Sequence, residues 1–120
     1  MGLRHERVVA ALKREISGIV HDELKDSRLG FVTIMRVDLT SDLRFARVYF
    51  SVLGEEKEQK ATQQALESAK PFIRCLIGQR IKLRFVPEIS FKLDRSVEYS
   101  IRIQEKIQRL KEQNEHKKNY

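Results

Sequence analysis

The stretch from Ala69 to Asp94 constrains the fold of this chain most, because a helical pattern passes there into a strand pattern with almost no loop between them. Pro71 lies near its start. Proline has no amide hydrogen and disfavours helical dihedrals in the residue before it, so we expect a helix break at Ala69-Lys70-Pro71. The pattern therefore predicts a helix from the acidic residues after Gly54 to about Ser68, a second from Pro71 to about Gln79, and a strand from Lys82 to Leu93.

The residues before this stretch predict a helix and a β-hairpin. Val9, Leu12 and Ile16 are spaced three and four apart, which favours a helix from Leu3 to about Leu24. The run from Phe31 to Val37 is rich in β-branched residues and favours a strand, although apolar residues on both parities leave its inward face open. A second strand is expected from Phe45 to Leu53, with Ala46, Val48, Phe50 and Val52 on its buried face. The turn residues Thr40-Ser41-Asp42 make the two strands antiparallel.

The third strand should lie at an edge of the sheet. Pro87 lacks the hydrogen-bond donor that a central strand needs. A helical crossover between two strands normally makes them parallel with a right-handed connection, which places the second strand in the centre. The sequence therefore predicts an α+β fold of order α-β-β-α-α-β with a three-stranded mixed sheet, the topology of the type II KH fold.

Two segments are expected along the chain. Residues 1–95 form the KH-like domain. Residues 96–120 form a C-terminal helix, with Val97, Ile101, Gln104, Ile107 and Leu110 on one imperfect face, followed by a flexible basic tail from Lys111 onward.

The charge of the chain favours a polyanionic partner. The net charge is +7 and the pI about 9.8, which favours nucleic acid first and an anionic membrane surface second. The alternative is that the charge only maintains solubility. The start of the chain lacks the apolar run of a secretory signal, and no segment is apolar enough to cross a bilayer. We therefore expect a cytoplasmic protein without a membrane partner, and a monomer.

The residue types for metal or covalent chemistry do not form a recognisable pattern. Cys75 is the single cysteine and stands among apolar residues, so we expect it to be a small buried residue. His5, His21 and His116 show no metal-ligand spacing. The sequence predicts no catalytic residue, no metal site and no cofactor.

The candidate RNA-binding residues are cations. Seven lie from the predicted helix break to just after the third strand, where acids are scarce: Lys70, Arg74, Arg80, Lys82, Arg84, Lys92 and Arg95. We expect them to contact phosphates, although a solvated face that binds nothing would look the same. Arg4 and Arg7 of the first helix, and Arg36, Arg44 and Arg47 around the hairpin, are weaker candidates. Tyr49 could stack on a base or simply cover the sheet.

Several sequence pieces resemble the ribosome-binding factor A family of bacterial small-subunit maturation factors. They are Arg7-Val8-Val9, Ile16-Ser17, Asp26-Ser27-Arg28-Leu29-Gly30-Phe31-Val32-Thr33, Val48-Tyr49-Phe50-Ser51-Val52-Leu53-Gly54, Phe72-Ile73-Arg74, Leu83-Arg84-Phe85-Val86-Pro87-Glu88-Ile89-Ser90-Phe91 and Asp94-Arg95-Ser96. The resemblance covers residues 4 to 110. It implies a KH-type domain in which an Ala-x-Gly helix kink replaces the usual Gly-x-x-Gly loop. Here the kink motif reads Ala69, Lys70, Pro71, with proline at the glycine position.

The resemblance also implies a function. Such a factor binds the free 30S subunit and its 16S rRNA during late maturation and 5′-end processing, including growth in the cold, and is not an enzyme. Other assembly factors, such as a GTPase, are further candidate partners. Two alternatives stay open on the residues alone: a general RNA- or DNA-binding or protein-interaction module, and a small RNA-processing nuclease.

Overall fold

The computed structural model describes residues 2–95 and 104–112. Helix α1 covers Leu3–Gly18 and continues as a π-helical turn over Ile19–Glu23. Strands β1, Phe31–Leu39, and β2, Phe45–Leu53, follow, and then the long helix α2, Glu56–Arg80, and strand β3, Glu88–Leu93. Residues 104–112 are helical, so the helix includes Lys111 and Glu112, where the flexible tail was expected to begin. The first part of the predicted C-terminal helix, residues 96–103, and the predicted tail from residue 113 lie outside the described residues.

The three strands form one mixed sheet in the order β1-β2-β3. Strand β2 pairs antiparallel with β1 and parallel with β3. The amide of Glu88 donates to the Arg44 carbonyl at 2.8 Å and so fixes where the parallel pairing begins. The predicted α+β class, the central position of the second strand and the KH-like arrangement are confirmed.

A bulge in β1 explains why both parities of that strand carry apolar residues. Ile34 pairs with Phe50, but the next partner of β2 is Arg36, so Met35 is the extra residue. An extra residue shifts the alternation by one position. Ile34 before the bulge and Val37 after it therefore both reach the core.

Both helices cover one face of the sheet. Leu12 and Ile16 of α1, Phe50 of β2, and Leu66 and Ile73 of α2 are completely buried there. The Phe50 and Phe91 rings meet edge-on with their centroids 6.4 Å apart, joining the two parallel strands inside the core. The described residues leave the opposite face of the sheet open.

The predicted helix break at Pro71 is wrong, because α2 is a single helix through that residue. Proline removes the bond that its amide would donate to the Glu67 carbonyl, and its ring crowds that carbonyl. Pro71 is exposed, while Leu66, Ile73 and Ile77 stay on one buried stripe before and after it. Packing of that stripe against the sheet offsets the lost bond. The same stripe explains why Cys75 is exposed rather than buried as expected, since it lies two residues from Ile73 and points to the far side.

The third strand is shorter than predicted. Residues 81–87 are irregular and β3 starts only after Pro87, although the alternating pattern predicted a strand from Lys82. Phe85, which has the same parity as the buried Ile89 and Phe91, is 67% exposed. Residues 81–87, called the crossing segment below, connect the end of α2 to the sheet edge. Because they span this distance, they do not pair with β2, and pairing begins only at Glu88.

Candidate nucleic-acid interface

The predicted basic surface is divided by the fold into three regions with different surroundings. The first is the junction of α2 with the segment before β3. There Arg74 is half-buried, and its Nε and Nη2 donate to the carbonyls of Pro87 and Val86, each at 3.1 Å. A planar guanidinium suits such a double contact. Arg74 therefore holds the crossing segment on the helix, a role that its charge alone did not predict.

Gly78 completes this junction one turn further along α2. A Cβ atom at this position would lie 3.2 Å from Cγ2 of Val86. The crossing segment therefore approaches the helix closely at a residue without a side chain. Together with the Arg74 contacts, this close approach positions the segment that carries the exposed side chains of Lys82 and Arg84.

Arg80 ends α2 and is also engaged within the protein. Its Nη1 and Nη2 donate to the two carboxylate oxygens of Glu23 at 2.8 and 2.6 Å, and Glu15 lies 3.6 Å away. The hydrogen bond from Arg80 holds the pKa of Glu23 below its usual range, and Glu23 in turn raises the pKa of Arg80. This pair joins the end of α2 to the π-helical turn after α1.

The residues of the predicted kink motif lie in the middle of α2. Lys70 is half-buried and forms an ion pair with Glu67, one turn before it. It also lines an open groove of about 660 Å³ with Asp38, Arg47 and Ser90 of the three strands. Ala69 is half-buried and Pro71 exposed.

The second region is the open face of the sheet. Arg36, Tyr49 and Lys92 are neighbours in register across β1, β2 and β3. The guanidinium carbon of Arg36 lies 3.8 Å from the centre of the Tyr49 ring, and a hydrogen bond with Arg47 lowers the pKa of the Tyr49 phenol.

Acids balance the cations on this face. Asp38 lies 3.6 Å and Asp94 4.0 Å from the Arg36 guanidinium. Tyr49 already stacks under that guanidinium and is half-buried. The open face therefore carries little net charge, and its tyrosine has one ring face occupied.

The third region is the end of the molecule where the β1–β2 turn, the start of α1 and the segment before β3 meet. Arg4, Arg7, Lys82 and Arg84 are all exposed here or on the adjoining elements. Arg4 and Arg84 line one pocket together with Arg44 of the turn. The sequence named Arg44 only as a weaker candidate of the hairpin and did not connect it with Arg4, because only the folded turn places the two residues in one pocket. Arg95 is exposed at the end of the described domain residues.

The connection from α1 to β1 contains the motif Asp26-Ser27-Arg28-Leu29-Gly30. The Asp26 carboxylate accepts bonds from the Arg28 backbone amide at 2.9 Å and from Nη2 of Arg28 at 2.7 Å. These bonds lower the pKa of Asp26 to about 2, the side-chain bond contributing most. The buried hydroxyl of Thr62 in α2 then accepts from the Gly30 amide at 3.1 Å. The motif therefore builds a structural turn rather than a charged site.

Two further structural findings concern metal sites and membrane-spanning helices. Within residues 2–95 and 104–112, no three or more His, Cys, Asp or Glu side chains are grouped so as to hold a metal ion. None of the helices in this part of the chain is long and apolar enough to span a membrane.

A three-stranded mixed sheet with helices on one face, in the order seen here, defines a small KH-like domain. Its sequence matches the profile of the family described as ribosome-binding factor A over residues 4–107. The chain is similar to ribosome-binding factor A of Halothermothrix orenii, with 46% identity over 93% of this chain and 92% of that protein. It is 47% identical to the Staphylococcus carnosus protein over 90% of this chain and 94% of that one. The chain belongs to the ribosome-binding factor A family.

Solved structures agree with this assignment. A crystal structure of ribosome-binding factor A from Thermus thermophilus superposes with a TM-score of 0.68 at 26% identity, covering 76% of this chain and 96% of that one. A solution NMR structure of the Thermotoga maritima protein gives 0.67 at 35% identity, covering 76% and 87%. A further neighbour is a homology model of the Thermus thermophilus protein fitted into a cryo-EM map of its complex with the 30S subunit, with a TM-score of 0.63 at 27% identity, covering 74% and 93%.

Proposed function

We propose that this protein is a ribosome assembly factor that binds the free 30S subunit and its 16S rRNA and assists late maturation and 5′-end processing of that rRNA, including in the cold. The observation that carries the proposal is membership of the ribosome-binding factor A family over residues 4–107. A relative with the same fold has been fitted into a map of its 30S complex. The same proposal places the protein in the cytoplasm, where subunits are assembled.

The mechanism is conformational rather than catalytic. A protein that binds an immature rRNA arrangement more tightly than the mature one shifts the population toward the first. The extent of the shift is limited by the difference between the two affinities. Release then follows from maturation itself, because the mature arrangement is the weaker ligand.

The exposed cations are the proposed phosphate contacts. Arg4, Arg7, Lys82, Arg84 and Arg95 carry charge outward from the helix and crossing segments, with Lys92, Arg36 and Arg47 as further contacts on the sheet face. Lys70, Arg74 and Arg80 have protein partners and position the surface. Arg74 has N–H groups beyond the two that bond to Pro87 and Val86 and can still face a phosphate, since a guanidinium carries five.

The proposal is tested in cells depleted of the protein and grown at low temperature. Primer extension on 16S rRNA should show unprocessed 5′ ends accumulating with free 30S subunits. The intact chain should restore processing, and a variant with Arg4, Lys82 and Arg84 changed to Gln should not. Normal 5′ ends after complete depletion would contradict the proposal.

A further inference from the structure

One end of the molecule exposes an aromatic ring that the core does not use. Phe85 lies in the crossing segment between α2 and β3 and is 67% exposed. With Leu43 and Leu83 it forms the apolar part of a pocket of about 290 Å³. An exposed phenylalanine in a concave, largely apolar setting is a feature of ligand sites more than of solvated surface.

Three arginines from three different elements line the same pocket as this ring. Arg4 comes from the first turn of α1, Arg44 from the β1–β2 turn and Arg84 from the crossing segment. The guanidinium carbon of Arg84 lies 5.6 Å from the centre of the Phe85 ring. The pocket therefore combines a flat apolar surface with cations at its rim.

Asp42 is the only acid among the residues that line the pocket, all of which the structure describes. Its carboxylate accepts bonds from the Thr40 hydroxyl at 2.6 Å and from the Arg44 amide at 3.1 Å. These bonds lower the pKa of Asp42, and the bond from the Thr40 hydroxyl contributes more than the bond from the Arg44 amide. The Asp42 carboxylate is therefore hydrogen-bonded within the turn. With three arginines and one acid, the residues lining the pocket carry a net positive charge.

The turn that carries Arg44 is held in place before any ligand binds. The Leu43 amide donates to the Thr40 carbonyl at 2.9 Å, and Leu43 adopts the left-handed conformation with φ 64°. The Arg44 carbonyl accepts from the Glu88 amide at 2.8 Å, which ties the turn to β3. A wall fixed in this way avoids the ordering cost that binding would otherwise carry.

We propose that this pocket binds one unpaired nucleotide of RNA, with its base stacked on Phe85 and the adjoining phosphates held by Arg4, Arg44 and Arg84. A nucleotide joins a flat base to a neighbouring phosphate. The lining offers the matching groups, a ring on which the base can stack and arginines that can pair with the phosphate. The inference rests on the proposed function and deepens it. It assigns the protein a preference for a flipped-out base over continuous duplex.

The test compares two labelled RNA hairpins that differ only in one bulged adenosine, using fluorescence anisotropy at fixed salt. The intact chain should bind the bulged hairpin about tenfold more tightly, within the range that one base stacked on an aromatic side chain contributes. F85L keeps the apolar bulk and removes the ring, so it should bind both hairpins equally. F31L changes a phenylalanine that is 81% exposed at the opposite end of β1, and it should keep the preference.

The outcomes separate this inference from the proposed function. Equal binding of the two hairpins by the intact chain, a preference retained by F85L, or a preference lost equally in F31L would overturn the pocket assignment. Displacement of the bulged hairpin by an acidic peptide as readily as by the unlabelled hairpin would also overturn it. Binding of the intact chain to 30S subunits is measured alongside: if it persists while the F85L prediction fails, the proposed function stands without the pocket. Circular dichroism of each variant should match that of the intact chain, which checks that the exposed substitutions leave the fold unchanged.

Discussion

At the scale of single residues, the cations of this chain fall into two groups that composition does not separate. Arg74 and Arg80 bond to neighbouring segments, whereas Lys82 and Arg84, which follow them in the sequence, are exposed to solvent. All four lie in one short basic stretch. Their charge predicted a polyanion surface, but only the positions of Val86, Pro87 and Glu23 show which side chains build that surface.

Replacing Arg74 tests its structural role. R74A removes two hydrogen bonds from a charged donor and leaves the carbonyls of Val86 and Pro87 without it. The free energy of unfolding should fall by about 1.5–3 kcal/mol, the range for bonds to charged groups. K82A in the same segment removes an exposed cation and should change stability by less than about 0.5 kcal/mol. Equal effects in urea unfolding would contradict the assigned role.

The turn at Asp26 predicts a dependence of stability on acid pH. Its pKa is lowered from 3.8 in a free side chain to about 2 in the fold, chiefly by Arg28. A group with a depressed folded pKa contributes stability that is present above pH 3.8 and lost as the pH falls toward 2. In urea unfolding, D26N should therefore be less stable than the parent at pH 7, and the difference should shrink between pH 4 and pH 2. A difference that stays constant with pH would argue against this ion pair.

At the scale of elements, the long helix α2 is the main departure from what the sequence predicts. Alternation in β2 is a local property, and its buried face was predicted from the residues. Pro71 is different, because local chemistry favours a break while Leu66, Ile73 and Ile77 bury on both sides of it. The start of β3 likewise depends on contacts with Arg74 and Gly78 that lie far back in the sequence. Residues whose neighbours are local were predicted, and those decided by distant packing were not.

Replacing Pro71 tests whether packing of α2 against the sheet offsets the free-energy cost of a proline inside the helix. P71A restores an amide that can bond to the Glu67 carbonyl at an exposed position within α2. Proline in a helix interior costs about 3 kcal/mol, and part of this is balanced by the stiffness it gives the unfolded chain. Thermal unfolding should therefore show a gain of about 1–2 kcal/mol. The exposed Q64A in the same helix serves as a control for helix propensity, and a loss of stability in P71A would show that α2 requires the proline.

At the scale of the whole molecule, the distribution of free cations should set the dependence of RNA binding on salt. Arg4, Arg44, Lys82 and Arg84 lie on exposed elements near one end. If these four contact phosphates, log affinity should fall with log salt at a slope of about −3, taking about 0.7–0.9 per contact, and the further proposed contacts should make the slope steeper.

Matched substitutions separate the exposed and the engaged arginines. R84Q removes one phosphate contact, so the slope should become shallower by about 0.7–0.9. R80Q should leave it unchanged, because both terminal nitrogens of Arg80 are bonded to Glu23. Filter binding to a 16S rRNA fragment between low and physiological salt measures both values. A slope that falls in R80Q and not in R84Q would reverse the assignment of the surface.

The most direct test of the account is sedimentation of the purified chain with ribosomal particles through sucrose gradients. The chain should co-sediment with free 30S subunits and be absent from 70S ribosomes, and raising the salt should release it. The variant with Arg4, Lys82 and Arg84 changed to Gln should remain at the top of the gradient although it is folded. Association with 70S ribosomes as strong as with free 30S subunits, or no association with either particle, would contradict the account.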